Sequence, residues 1–121
     1  MSISYSGGHV AHHDFAIVSK FKNGEEGLLV GYGSDGHLRK AGDCYRFAGL
    51  FLGSGATFGQ GFDAAVLGVT WFRSRFFERC GLVIGGDVYA RDGLVVSAGV
   101  HRIGTLVYLD EKYVEVVVCC A

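Results

Sequence analysis

The densest set of metal-capable side chains is the run HVAHHD, which contains His9, His12, His13 and Asp14. Imidazoles three positions apart can share one face, and with a carboxylate they could complete a divalent-cation site. The plainer alternative is an exposed arm whose backbone gives the ligands no supporting shell. That alternative is the expected one, so no metal and no other cofactor is predicted. Cys44, between Asp43 and Tyr45, would be a nucleophile if His13 or His37 folded against it. No residue near it in sequence supplies a base or an oxyanion donor, so a structural thiol is expected and catalysis is not. The loop GSGATFGQG, Gly53 to Gly61, exposes glycine amides that could face an anion. It has neither the Lys-Ser/Thr pair of a P-loop nor the spacing of a dinucleotide-binding turn.

The run WFRSRFFERC carries more information. Trp71, Phe72, Phe76 and Phe77 alternate with Arg73, Arg75 and Arg79. On a helix, Phe72 and Phe76 share one face and Arg75 and Arg79 another. One face would then enter the core while the other offered guanidinium groups to a protein partner, where arginine and aromatic residues contribute most.

These residues need elements to position them. The helix is predicted over Phe62–Gly81: Asp63 can cap it, the following alanines favour it, and Phe62, Val66, Val69 and Arg73 recur at helical spacing. Gly81 is the expected stop. Strands are predicted at Asp14–Phe21 and Leu28–Gly33, joined by an Asn-Gly turn. Cys44–Gly55 is apolar enough for a strand or a buried helix, and is read as a strand. The last third alternates cleanly through LVIGGDVYA, GLVVSAGV, GTLVYLD and YVEVVVCC, which makes a meander of four strands. Gly85-Gly86 is expected to be a bulge or close approach inside the first of them. Residues 1–13, small and polar, are expected to form a loop or loosely docked arm. The predicted fold is therefore α+β and mostly β: one domain over residues 1–121, an antiparallel sheet with one or two helices packed on it.

Composition bounds the function classes. The chain has 20 glycines and no proline in 121 residues, so its turns rest on Gly, Asn and Asp. A net charge of −1 offers phosphate backbones no general attraction, which argues against nucleic acid as a partner. No run is long and apolar enough to span a bilayer as a helix, and the first residues do not read as a secretory signal. Cys44, Cys80, Cys119 and Cys120 form no CxxC pair and no zinc spacing. Reduced thiols and a cytoplasmic location are expected.

The stretch DAAVLGVTWFRSRFFERCGLVIGGDVYARD resembles the middle of a profilin, where a helix and a basic-aromatic connection lead into a strand of the form G-L-x-L-G-G-x-x-Y/C. Here that strand reads Gly81-Leu82-Val83-Ile84-Gly85-Gly86-Asp87-Val88-Tyr89. DFAIVSKFKNGEEGLLVGYG is similar to the first profilin hairpin. The resemblance implies a non-catalytic domain that binds monomeric actin and regulates cytoskeletal assembly. The implied contacts are Arg73, Arg75, Arg79 and Arg91, with Trp71 and Phe76 supplying buried area and phosphoinositide headgroups competing for the arginines. The chain ends in YVEVVVCCA in place of the family's C-terminal helix, so binding of polyproline is not implied. From the residues alone, the alternatives are a small β-barrel or sandwich that binds a ligand or regulatory partner unrelated to actin, and an enzyme built on Cys44.

Overall fold

The structure, a computed structural model, describes residues 3–13, 21, 24–42, 46–53 and 63–118. Among them are nine strands and no helix: β1 (Tyr5–His13), β2 (Leu29–Tyr32), β3 (Leu38–Lys40), β4 (Arg46–Gly53), β5 (Asp63–Ser74), β6 (Asp87–Arg91), β7 (Leu94–Val96), β8 (Arg102–Leu109) and β9 (Val114–Val118). They form one sheet in the order β3-β2-β4-β5-β9-β8-β6-β7, with β1 on the other edge of β5. The expected α+β class is thereby corrected to all-β for the described residues.

The helix predicted over Phe62–Gly81 is instead β5, a strand of 12 residues, followed by extended chain. Two irregularities explain why it imitates a helix. Gly68 sits at φ 76°, and Thr70 is an extra residue between the pairs Gly7–Val69 and Ser6–Trp71. Each resets the two-residue alternation of a strand. Val66, Val69 and Phe72 therefore all reach the same core at a spacing of three, which a periodicity count reads as helical. The β-branched and aromatic residues Val66, Val69, Thr70, Trp71 and Phe72 suit a pleated surface better than a helix.

The long strand organises the rest. Its first half pairs with β4 and its second half with β9, both along the same edge, while β1 runs along the opposite edge. Beyond Ser74 the chain turns along the outer edge of β7, where Val95 donates its amide to the Phe76 carbonyl and Glu78 donates to the Val95 carbonyl, both at 2.9 Å. At the β6–β7 hairpin, Asp92 (φ 52°) and Gly93 (φ 81°) form a two-residue turn, which an Asp-Gly pair favours. Gly93 then accepts a bond from Leu29 at 2.9 Å and donates to Ala41 at 2.6 Å. The sheet thus curls toward closure as an antiparallel half-barrel.

The main core fills the curl with Leu29, Leu50, Val66, Phe72, Val88, Val95, Ile103, Leu106, Val114 and Val116. A second cluster, Phe21, Leu28, Val30, Leu38, Phe51, Ala65 and Leu67, packs on the other face of β2, β4 and the first half of β5. Phe21 and Phe51 stack there at 4.3 Å. Burial of both faces explains why this half of the sequence lacks clean alternation.

Three further expectations change. Residues 5–13 form β1, paired antiparallel with β5 from Tyr5–Phe72 to His13–Asp63, where an arm was expected. Gly85-Gly86 lies in a turn before β6: Gly86 donates to the Val83 carbonyl at 2.9 Å and Gly85 takes φ 88°, the third position of a type II turn. The four C-terminal runs do form strands, shorter than the apolar runs, but the expected meander is corrected: β8 pairs with β6 and not with β7, so the hairpins β6–β7 and β8–β9 join through β6 and β8. The strand predicted at Asp14–Phe21 lies outside the described residues apart from Phe21.

The β8–β9 connection is held by Asp110, whose Oδ1 accepts the amides of Lys112 at 2.7 Å and Tyr113 at 2.9 Å. The Tyr108 phenol donates to its Oδ2 at 2.8 Å. The Tyr113 and Lys112 amides hold the Asp110 carboxyl below the usual carboxylate range, and the bond to Asp110 raises the Tyr108 phenol. Because the folded pKa is depressed, this stabilisation is complete above the ordinary value near ~4 and is lost as pH falls through the lower folded value. Urea midpoints of wild type and Asp110→Ala should therefore differ by a constant amount above about pH 5 and converge as the pH is lowered below about 4. A gap that widens on acidification would contradict this assignment.

Candidate functional site

The residues that the sequence nominates as a partner face are dispersed. Trp71 and Arg73 lie on the outer face of β5, opposite Val117 and Glu115 of β9. Arg73 donates to Glu115 at 3.1 Å, and its guanidinium carbon lies 4.3 Å from the centre of the Tyr113 ring. Arg75 donates to the Gly24 carbonyl and covers the Phe76 ring at 4.5 Å. Phe76 packs half-buried against the second core cluster. Arg79 donates to the Asp110 carbonyl at 3.1 Å, on the side of the β8–β9 turn. Arg91, at the end of β6, donates to Ala98 at 3.3 Å and approaches Glu78 at 3.9 Å. Of the four arginines, only Arg73 and Arg75 line one hollow, of about 230 Å³, with Glu26, Ser74 and Tyr113. Helical spacing was the reason to gather these side chains on one face, and a strand followed by extended chain separates them.

The histidine run is the strand β1, with His9 exposed on it. Asp14 lies outside the described residues, as do Cys44 and the glycine loop from Ser54 to Gly61. Among the described residues, no group of three or more His, Cys, Asp or Glu side chains is placed to hold a metal ion.

A different place is built by the topology. β4 pairs with β5 as far as Gly49–Leu67, then leaves it to follow β2 through Phe47–Gly31 and Arg46–Tyr32. β9 joins the same edge only from Val117–Trp71, and its last residue, Val118, pairs with Gly104 of β8. Between these two points Gly68, Val69 and Thr70 have no strand on that edge among the described residues. The two half-sheets diverge from there and leave an open cleft of about 720 Å³.

Its floor is β5 itself, with Val69 only 3% exposed. One wall is β4 and the end of β2, presenting Tyr32, Arg46, Phe47 and Ala48; the other is the start of β8 and end of β9, presenting Arg102, Ile103 and Val118. Val100 and His101, in the β7–β8 connection, close one end. Phe47 and Val118 are anchored against the main core, and the Phe47 ring lies 5.7 Å from that of Phe72. Phe47 and Val118 thus join the apolar base of the cleft to the half-barrel interior. Arg102 is oriented by Asp87 at 2.8 Å and Thr105 at 3.1 Å. Arg46 is paired in register with Tyr32, and its guanidinium makes no hydrogen bond or ion pair among the described residues.

Sequence reasoning missed this cleft. Its one visible sign is Gly68, an isolated glycine in an apolar run, which marks a break in a strand as readily as a weak helix. The neighbours β4 and β9 lie far away in sequence, so the pairing that splits the sheet cannot be read from local pattern. Among the described residues, no helix is long and apolar enough to cross a membrane. Comparison with protein-family models, with curated proteins and with solved structures finds no match to this chain.

Proposed function

We propose that this protein is a non-catalytic binding module that takes a small, largely apolar ligand into the cleft between β4 and β9. The supporting observation is the split of the sheet over Gly68–Thr70, which leaves a preformed apolar floor ringed by a few polar side chains. A cleft of several hundred cubic ångströms with this lining is the usual form of a small-molecule site. Within the cleft, Thr70 and His101 are the side chains nearest to a nucleophile and a base in type, and among the described residues no carboxylate lines it to orient the imidazole. This favours binding over catalysis. A reducing, cytoplasmic setting is part of this reading, and the exposed Cys80 carries no disulfide among the described residues.

The test is a fluorescence titration with N-phenyl-1-naphthylamine, a neutral aromatic probe that brightens in apolar surroundings. Saturable binding of one molecule per chain is expected. Thr70→Trp, at an exposed position on the cleft floor, should fill the space and weaken binding by about tenfold or more while leaving the far-ultraviolet spectrum unchanged. Equal binding by the variant would place the probe elsewhere, and no binding by either protein would end the proposal.

A further inference from the structure

The ionisable side chains that line the cleft are one-sided in type. Arg46, His101 and Arg102 line it with Tyr32, and among the described residues no Asp or Glu does, in a chain whose acidic residues outnumber its basic ones by 12 to 11. The charge of Arg102 is met by Asp87, so among the described residues Arg46 is the cation available to a ligand. Arg46 is exposed at the rim and stands beside Tyr32 in the β2–β4 register, whereas Val69 and Ile103 are buried below it. The site therefore has a cationic rim over an apolar floor.

Resting on the reading of the cleft as a binding site, we propose that its ligand is an amphipathic anion. Its apolar body lies on Phe47, Val69 and Ile103, and a single oxyanion group at its edge meets the Arg46 guanidinium. A guanidinium presents paired donors that match a carboxylate, sulfonate or phosphate, and a charge-assisted bond over a low-dielectric floor is stronger than the same bond in water. The polarity is specific. A cationic amphipath would meet Arg46 and Arg102 without a carboxylate to receive it, and a neutral one would leave the Arg46 charge unused.

Two probes that share one body separate the two claims. 1-Anilinonaphthalene-8-sulfonate is N-phenyl-1-naphthylamine carrying a sulfonate. The anionic probe is expected to bind about tenfold tighter than the neutral one at low salt. Raising the salt to about 1 M should shrink that ratio without weakening the neutral probe. In Arg46→Gln the ratio should fall to within about twofold, with neutral-probe affinity kept, whereas Arg79→Gln, outside the cleft, should leave the ratio unchanged. Binding of both probes with equal affinity, or a ratio that survives Arg46→Gln, overturns the anion inference and leaves the cleft standing. Binding of neither probe overturns the cleft reading as well.

Discussion

Gly49→Ala is expected to destabilise the protein by about 3 kcal/mol or more, a loss larger than most single substitutions cause. A methyl group on Gly49 would sit 1.8 Å from the Val66 carbonyl oxygen and 2.9 Å from the Leu67 Cα. Both atoms belong to the β5 backbone, so no side chain can rotate out of the way and the strands must part. Gly49 is also the last β4 residue that pairs with β5 before the sheet splits. The same substitution should therefore disturb the cleft, weakening probe binding in whatever fraction still folds. Gly104→Ala should behave alike, because its added carbon would lie 2.1 Å from the Val117 carbonyl oxygen on the opposite wall. Gly36→Ala is the contrast. Gly36 has φ 81° and nothing within 4 Å of the added carbon, so only backbone strain of about 1 kcal/mol is expected. Urea denaturation of the three variants measures the difference. A Gly49→Ala midpoint equal to that of Gly36→Ala would mean that β4 does not lie on β5 in this register.

Phe72→Ala should cost about 3–5 kcal/mol, the range for removing a fully buried aromatic ring. Phe72 is fully buried in the main core, pairs in register with Tyr5 on one side and Val116 on the other, and its ring meets that of Phe47. Removing it takes packing from three neighbouring strands at once, and the cavity opens directly behind the cleft wall. Thermal unfolding should move down by roughly 10 °C or more, and neutral-probe affinity should drop at temperatures where the variant remains folded. Trp71→Ala, one residue away but on the outer face, should cost less than half as much. Equal losses at the two positions would contradict the alternation that β5 imposes after Thr70.

This contrast also shows how much of the molecule its sequence discloses. The hairpin at Asp92-Gly93 and the β8–β9 pair are legible, because a two-residue turn joins one pair and alternating valines face one core in the other. The first half of β5 is not, because Ala65 and Leu67 face one cluster while Val66 faces another, and no alternation survives burial on both sides. The second half misleads, since Gly68 and the bulge at Thr70 place Val66, Val69 and Phe72 three apart. β1 escapes notice for a different reason. Its Gly7-Gly8 pair and exposed His9 and Val10 give no apolar pattern, and its pairing with β5 spans more than half the chain. The cleft inherits this difficulty. Arg46 and Arg102 are unremarkable in sequence, and only the divergence of β4 and β9 from a common edge brings them to one place. The arginines of WFRSRFFERC are conspicuous in sequence, and all three are held by carbonyls and a carboxylate of the chain itself.

Where a ligand touches the protein decides whether the β4–β9 cleft is its binding site. Amide chemical shifts of the isotopically labelled protein, followed while N-phenyl-1-naphthylamine is added, test this residue by residue. The expected perturbations centre on Gly68, Val69 and Thr70 and extend to Phe47, Ile103 and Val118, with Arg75 and Arg79 unmoved. Shifts that centre instead on Arg73, Arg75 and Tyr113, or the absence of any saturable shift, would contradict the β4–β9 cleft as the binding site.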